Sequence, residues 1–193
     1  MDKRRLIVGV SGASGAPLAV ELLRKLHNDH SGIETHLVVT RGAELTLKHE
    51  YGMTLSELRE LASVSHEIDE IGASIASGSF RTMGMIVAPC SMKTVAGIVS
   101  GYSDNLLLRA ADVCLKEHRK LVLVARESPF STVHLRNLYE ASQLGAVIFP
   151  PMLTYYNHPE SIADMTRYTV RRILSQFDLI EDGYQWEGMD ETV

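Results

Sequence analysis

Short apolar runs alternate along this chain with longer stretches in which apolar residues recur every three or four positions. Short runs rich in Val, Ile and Leu are typical of buried strands, whereas the longer spacing is typical of helices. The pattern predicts strands at 6–10, 36–40, 85–88, 120–125 and 146–149. It predicts helices at 18–26, 43–49 and 54–62, from 91 onward, and at 105–117, 132–143 and 161–177. This alternation favours an α/β fold in which a parallel sheet carries helices on both faces.

The 193 residues are within the usual size of one domain, which we place at 1–178. A polar tail follows at 179–193 and contains the only tryptophan, Trp186. The stretch 71–82 has no apolar period and is predicted to be a loop. The first apolar run, 6–10, is too short for a signal-peptide core or a membrane span, so a cytoplasmic protein is expected.

Composition and charge exclude several classes of function. The 19 basic and 24 acidic residues give a net charge of −5, so no overall positive field is available for nucleic acid or an acidic membrane surface. Any anion must therefore be bound by a local group of residues. Cys90 and Cys114 are too few for a disulfide scaffold and lack the spacing of metal ligands, which favours a reducing compartment. No metal site is predicted.

Three predicted strands end in small or hydroxyl-bearing residues, at 11–15, 40–42 and 90–91. Ligands of an open parallel sheet bind beyond the carboxyl ends of its strands, and helix starts bind anions through their N–H groups. The three ends together therefore favour a phosphate-bearing cofactor. Thr40 or Ser91 taken alone is better explained as an ordinary N-cap of the helix that follows.

The glycine pattern disfavours a dinucleotide. A dinucleotide fingerprint has three glycines and an acidic residue at the end of the second strand. This chain offers Gly12 and Gly15, and its second predicted strand ends in Thr40 and Arg41. NAD is therefore disfavoured, whereas Arg41 leaves NADP open because it could meet a 2′-phosphate. A mononucleotide such as FMN fits the shorter loop better.

Arg109 and Lys116 share one face of a predicted helix, because seven residues are close to two turns. Their spacing alone favours an ion-pair ladder through Asp112 over a second anion site. Spacing cannot place Tyr156 or Arg172 near these two cations.

Glu50 and Cys90 are two further candidates for a catalytic role, and their sequence surroundings predict no reactivity for either. Glu50 ends the second predicted helix, where a lone glutamate is usually solvated. Cys90 has the surroundings of a buried core thiol, and no Cys–His arrangement that would activate it is evident. Composition and spacing therefore assign neither residue a role.

Six ordered motifs carry a resemblance to a known family. They are SGASGA (11–16), SGSF (77–80), PCSMKT (89–94), RAADVCLKE (109–117), KLVLVARE (120–127) and YYNHP (155–159). Over residues 6–177 the chain resembles the UbiX-type flavin prenyltransferases, in particular the branch associated with phenolic acid and hydroxybenzoate decarboxylases. Six motifs in order are a more specific signal than one glycine loop.

The resemblance implies a three-layer, flavodoxin-like variant of the Rossmann fold, assembled into homododecamers that bind FMN between neighbouring copies. It implies that a dimethylallyl group is transferred from dimethylallyl phosphate to N5 and C6 of reduced FMN without a metal ion. The product, prenylated FMN, would be handed to a UbiD-type aromatic acid decarboxylase.

The resemblance also implies roles for individual residues. Glu50 would be the acid/base group beside the flavin, and Lys116 and Arg109 would act on the leaving phosphate. The cofactor-binding residues would be Gly12, Ala13, Ser14, Gly15, Thr40, Ser91, Met92, Thr94 and Arg126. The residues that bind dimethylallyl phosphate would be Arg109, Lys116, Tyr156 and Arg172, and Trp186 could close over the prenyl group.

Two other functions stay open. A non-catalytic FMN carrier, or an accessory component of a phenolic acid decarboxylase, would keep Ser14, Thr40 and Ser91 but have no use for the cations. A cysteine-derivative decarboxylase would share the fold, but it is expected to carry a catalytic histidine and a Pro-x-Met-Asn-x-x-Met segment, which this chain lacks. The chain departs from the family pattern at Ala125, where proline is usual, which leaves the geometry of the adjoining loop open.

Overall fold

Six parallel strands form one sheet in the computed structural model, which describes residues 3–29, 32–179 and 188. The strands are β1 (Arg4–Val10), β2 (Ile33–Val39), β3 (Val64–His66), β4 (Gly84–Cys90), β5 (Lys120–Ala125) and β6 (Val147–Ile148). Their order across the sheet is β3-β2-β1-β4-β5-β6. This is the Rossmann order, and without the short edge strand β3 it becomes the flavodoxin order. The predicted fold class is confirmed.

Helices cover both faces of the sheet. They are α1 (Ala16–Asn28), α2 (Arg41–Tyr51), α3 (Leu55–Arg59), α4 (Met92–Val99), α5 (Leu106–Lys116), α6 (Thr132–Gln143) and α7 (Ile162–Leu174). Short 3₁₀ turns occur at Ser74–Ala76 and Ser175–Phe177. Helices α1, α2, α3 and α7 bury their apolar residues against one face, and α4, α5 and α6 bury theirs against the other.

The central strands are apolar on both sides, which explains why their sequences read as continuous runs. In β1, Leu6 and Val8 face the core shared with α1 and α7, whereas Ile7 faces the core shared with α5. Gly9 also faces α5, because a Cβ at Gly9 would lie 3.2 Å from Leu107 Cδ1. Helix α5 can therefore pack directly on the strand that leads to the glycine loop.

The predicted elements are all present, with shifted ends, and one strand was not predicted. Strand β3 escapes the apolar pattern because Val64–His66 is three residues long and two of them are polar. The predicted loop 71–82 contains one 3₁₀ turn, and the predicted helix 54–62 is shorter. Leu179 is buried in the core beside α7, whereas Trp186 and most of the predicted tail lie outside the described residues.

Both thiols are internal. Cys90 and Cys114 are free and buried, and burial raises the pKa of Cys90 and raises that of Cys114 to about 12. The interpretation of Cys90 as a core thiol is confirmed. Within the described ranges, no helix is both long and apolar enough to cross a bilayer.

Candidate active site

The helices that follow β1 and β4, which are neighbours in the sheet, lie on opposite faces of it. Strand β1 leads into α1 on one face, and β4 leads into α4 on the opposite face. A crevice opens at such a switch point, and it is where ligands of this fold class bind. Ser11 joins the two loops, since its hydroxyl donates to Pro89 O over 3.1 Å and accepts from Ser91 N at 2.7 Å.

A cleft of about 720 Å³ lies at this switch point, within the usual range for small-molecule sites. Four predicted cofactor residues line it, namely Gly12, Thr40, Ser91 and Thr94. The rest of the lining, outside that prediction, comes from Arg41, Gly42, Ile68, Asp69, Lys93, Gly97, Tyr102, Asp104, Asn105, Leu107 and Leu108. The two helix starts that follow β2 and β4 therefore open into one cavity.

Thr40 and Ser91 are N-caps, as their sequence context predicts. The hydroxyl of Thr40 accepts from Ala43 N and that of Ser91 from Thr94 N, both at 3.3 Å. A capping hydroxyl uses its oxygen as acceptor and keeps its own proton as a donor. Capping α2 and α4 is therefore compatible with donating to a phosphate in the cleft.

The glycine loop packs tightly against the start of α2. A Cβ on Gly12 would lie 3.0 Å from the carbonyl carbon and 3.1 Å from Cα of Gly42. Gly15, the N-cap of α1, has φ +129, a conformation that side chains rarely adopt. Ala13 and Met92 are buried, so each could meet a ligand mainly through its main chain.

Glu50 is fixed against the start of α1. Its Oε2 accepts hydrogen bonds from the N–H groups of Gly15 and Ala16, each 2.9 Å long. Desolvation would raise the pKa of Glu50, but hydrogen bonds from the Ser14 hydroxyl and these two N–H groups, with the charge of Arg126, lower it below its usual range. A helix start favours negative charge in the same way. Although exposed, Glu50 is thus an ionised carboxylate tied to the predicted cofactor loop.

Arg126 follows β5 at the same edge of the sheet. Its N–H donates to Cys90 O over 3.1 Å, which holds it beside the loop that carries Ser91. Ala125, which stands where the family usually has proline, is buried and paired with Cys90 in the sheet. The strand therefore runs through Ala125, the residue directly before Arg126, without the proline.

The cations of α5 form only half of the predicted ladder. Arg109 Nη1 donates to Asp112 Oδ2 over 2.7 Å, and its Nε donates to Ala76 O over 3.2 Å. Lys116 pairs with Glu117 instead of Asp112. The sequence spacing places both cations on one helix but does not reveal which carboxylate each of them contacts.

Tyr156 contacts α7 one turn before Arg172. The hydroxyl oxygens of Tyr156 and Tyr168 are 2.6 Å apart, and Arg172 follows Tyr168 by four residues on the same side of the helix. Tyr168 was not predicted as a site residue, and only the spacing 168/172 within a helix could have indicated it.

One chain does not bring all predicted donor residues to the cleft. Arg172 lies near the end of α7 at the amino edge, where Lys120 Nζ donates to Gln176 O. Lys116 also lies near the amino edge, because β5 begins four residues later, but on the opposite face of the sheet. A seven-residue strand, about 20 Å long, separates this edge from the cleft. Lys116 and Arg172 thus lie on opposite faces of the sheet, and both are away from the cleft of their own chain.

The fold and the cleft define an α/β protein of the flavoprotein class. The sequence pattern of the Flavoprotein family matches residues 1–174. The flavin prenyltransferase UbiX of Escherichia coli strain K12 is 50% identical over 188 residues, which cover 96% of this chain and 99% of the relative. The chain belongs to the family of UbiX-like flavin prenyltransferases.

Two crystal structures extend this similarity to the fold. AnUbiX, in complex with FMN and dimethylallyl pyrophosphate, is 48% identical with a TM-score of 0.90, and the match covers 96% of this chain and 100% of AnUbiX. A dodecameric FMN-dependent UbiX-like decarboxylase from Escherichia coli O157:H7 is 50% identical with a TM-score of 0.92, over 96% and 100% of the two chains.

Proposed function

We propose that this protein joins the dimethylallyl group of dimethylallyl phosphate to N5 and C6 of reduced FMN and so makes prenylated FMN. The observation that carries the proposal is the Glu50 carboxylate, which is hydrogen-bonded to the start of α1 at the end of the glycine loop, whose Gly12 lines a cleft that two capped helix starts enter. Its relative AnUbiX, which has the same fold, was crystallised with FMN and a dimethylallyl donor. Both of those ligands carry phosphate, the group that helix starts and hydroxyls bind.

The cleft suits the phosphate of FMN. Thr40, Ser91 and Thr94 offer hydroxyls, and the main chain offers N–H groups at Gly12 and Ser14 in the glycine loop and at Met92, the first residue of α4. These donors bind an anion without an overall positive field, as the net charge of −5 requires. Reduced FMN would supply the nucleophilic N5 and the C6 carbon that forms the second bond.

Glu50 would act as the acid/base group. Closing the ring adds C6 to the prenyl double bond, which takes up one proton while C6 releases the one it carries, and a carboxylate that is ionised at neutral pH can accept the proton from C6. The hydrogen bonds from Gly15 and Ala16 hold the carboxylate in place through one of its oxygens, Oε2.

Arg109, Lys116, Tyr156 and Arg172 would bind the phosphate of the donor. Breaking the bond between an allylic carbon and a phosphate oxygen builds negative charge on the leaving group. Guanidinium and ammonium groups fixed in a closed site stabilise that charge, so no metal ion is required. The phosphate would compete with Glu117 for Lys116.

Copies of this chain would complete each other's sites. Lys116 and Arg172 are on opposite faces of the sheet, and both are remote from the cleft of their own chain. A homo-oligomer, for which we propose the dodecamer of the relative from Escherichia coli O157:H7, would let neighbouring copies supply these cations.

The product suggests the partner. Prenylated FMN is a cofactor made for another enzyme, and we propose that a UbiD-type aromatic acid decarboxylase in the cytoplasm receives it. The two proteins need meet only through this small molecule.

Purified protein should convert reduced FMN and dimethylallyl phosphate, in the absence of oxygen, into a flavin heavier by one C5H8 unit. Mass spectrometry of the extracted flavin gives the result, and oxidised FMN serves as the control because its N5 is not a nucleophile. Folded protein that binds FMN and yields only unmodified FMN would contradict the proposal and support the FMN-carrier alternative. A parallel reaction with dimethylallyl pyrophosphate identifies the preferred donor.

Gly12→Ala should weaken FMN binding about tenfold, because the extra methyl does not fit the tight packing and forces the glycine loop out of the position that lines the cleft. The new Cβ would lie 3.0 Å from the backbone of Gly42, and relieving that contact moves the glycine loop. Gly72→Ala is the matched control, since a Cβ at Gly72 has no atom within 4 Å. Flavin fluorescence titration measures both affinities, and equal effects of the two substitutions would contradict the prediction.

A further inference from the structure

The segment 77–80, which we call the SGSF loop, is held by arginine side chains. Arg119 Nη1 donates to Phe80 O over 2.8 Å, and its Nη2 donates to Gly78 O. Just before the loop, Arg109 Nε donates to Ala76 O over 3.2 Å. Arg119 thus binds two carbonyl oxygens of one loop with its planar fork, a geometry that lysine cannot reproduce.

The end of α5 fixes the direction of Arg119. His118 has a positive φ of 53, and its N–H donates to Leu115 O over 3.1 Å. The N–H of Arg119 donates to Cys114 O over 2.8 Å. These two bonds form a Schellman motif, which turns the chain sharply after the helix. The turn keeps Arg119 close to Lys116 in space.

The SGSF loop is the surface on which the Lys116 side chain lies. A Cβ placed on Gly78 would be 2.8 Å from Lys116 Nζ and would overlap with Glu117 Oε1. The loop backbone is therefore packed against the ends of the Lys116 and Glu117 side chains, which a Cβ at Gly78 would displace. The position of Gly78 is in turn set by the bond from Arg119.

We infer that Arg119 is a positioning residue for Lys116, acting through the backbone of the SGSF loop at Gly78. The inference rests on the proposed function, in which Lys116 binds the phosphate of the dimethylallyl donor. Arg119 uses two of its donors on carbonyl oxygens, so its role is to hold the loop. Loss of the fork lets the loop move, and Lys116 then loses the surface that fixes its ammonium group.

Arg119→Gln should raise the KM for dimethylallyl phosphate about tenfold, because charged hydrogen bonds to two carbonyls are lost. The Kd for FMN should stay within about twofold, since the cleft lies at the other edge of the sheet. Arg119→Lys keeps the charge but not the fork, and should raise KM nearly as much. Arg136→Lys is the control, because Arg136 is exposed and has only a 3.8 Å ion pair with Glu140.

Gly78→Ala tests the same contact from the other side and does not depend on the folding of an Arg119 variant. It should raise the same KM, and the double variant Gly78→Ala/Arg119→Lys should be less than additive because both changes act on one contact. Thermal melting curves recorded for every variant separate a loss of stability from a loss of donor binding.

Three results overturn the inference. In the first, wild-type protein turns over and Lys116→Ala raises KM for dimethylallyl phosphate, but both Arg119 variants leave that KM unchanged. This result leaves the proposed function intact and removes the role of Arg119. Lower melting temperatures and weaker FMN binding at unchanged KM assign Arg119 a purely structural role. No turnover by folded wild-type protein overturns the proposed function, and the inference falls with it.

Discussion

Glu50→Gln should lower kcat about 100- to 10,000-fold, the usual contribution of a positioned acid/base group, while FMN still binds. Glutamine keeps the size of the side chain and one oxygen that can accept from Gly15 and Ala16. It cannot accept a proton at neutral pH. The loss should therefore fall on the chemical step, which stopped-flow mixing of the FMN-loaded protein with donor measures directly.

The pH dependence gives Glu50→Gln a second signature. Because the folded protein lowers the pKa of Glu50, the ionised form persists to a pH below the usual glutamate value of about 4.3. Its contribution to stability is present above the unfolded-state pKa and is lost as pH falls through the folded-state pKa. The melting temperature of Glu50→Gln should thus lie below that of wild type at neutral pH, and the two should converge in acid.

Glu44→Gln is the matched control for this substitution. Glu44 is exposed on the same helix, outside the lining of the cleft, and its removal should leave kcat unchanged. If Glu50→Gln retains wild-type kcat, Glu50 holds the start of α1 without taking part in proton transfer.

The sheet could be predicted from the sequence because its central strands are buried on both faces. That burial produces uninterrupted apolar runs, and the run 120–125 coincides with β5. The edge strand β3 could not be predicted, because only one of its faces is covered and His66 bonds to His36 instead of joining an apolar run. Its position depends on pairing with β2, a long-range contact with no local pattern.

The candidate site could be predicted only where local structure creates it. Thr40 and Ser91 could be predicted because a hydroxyl directly before a helix usually caps that helix. Here the capping position is also one from which the hydroxyl can bind an anion. Glu50 is different, since its partners Gly15 and Ala16 are 35 and 34 residues away. Without the tertiary packing of α1 on α2, it cannot be distinguished from a solvated helix end.

Lys116→Ala should lower kcat/KM for dimethylallyl phosphate about 100- to 1,000-fold, as removal of one strong donor to a developing anion usually does. Lys116→Arg keeps the charge and should recover part of that loss, although its planar group fits a point-charge site less well. Lys48→Ala is the control, because Lys48 is exposed on α2, away from α5. Steady-state turnover measures all three variants, and an unchanged kcat/KM in Lys116→Ala would remove α5 from the donor site.

Mixing two inactive variants tests whether neighbouring copies share the site. Lys116→Ala and Arg172→Ala chains, co-expressed in equal amounts, should recover about a quarter of wild-type activity, because each site then draws its lysine and its arginine from two independently chosen chains. A site built within one chain would always contain one of the two substitutions and would stay inactive. Because Lys116 and Arg172 lie on helices at opposite faces of the sheet, we expect the first arrangement.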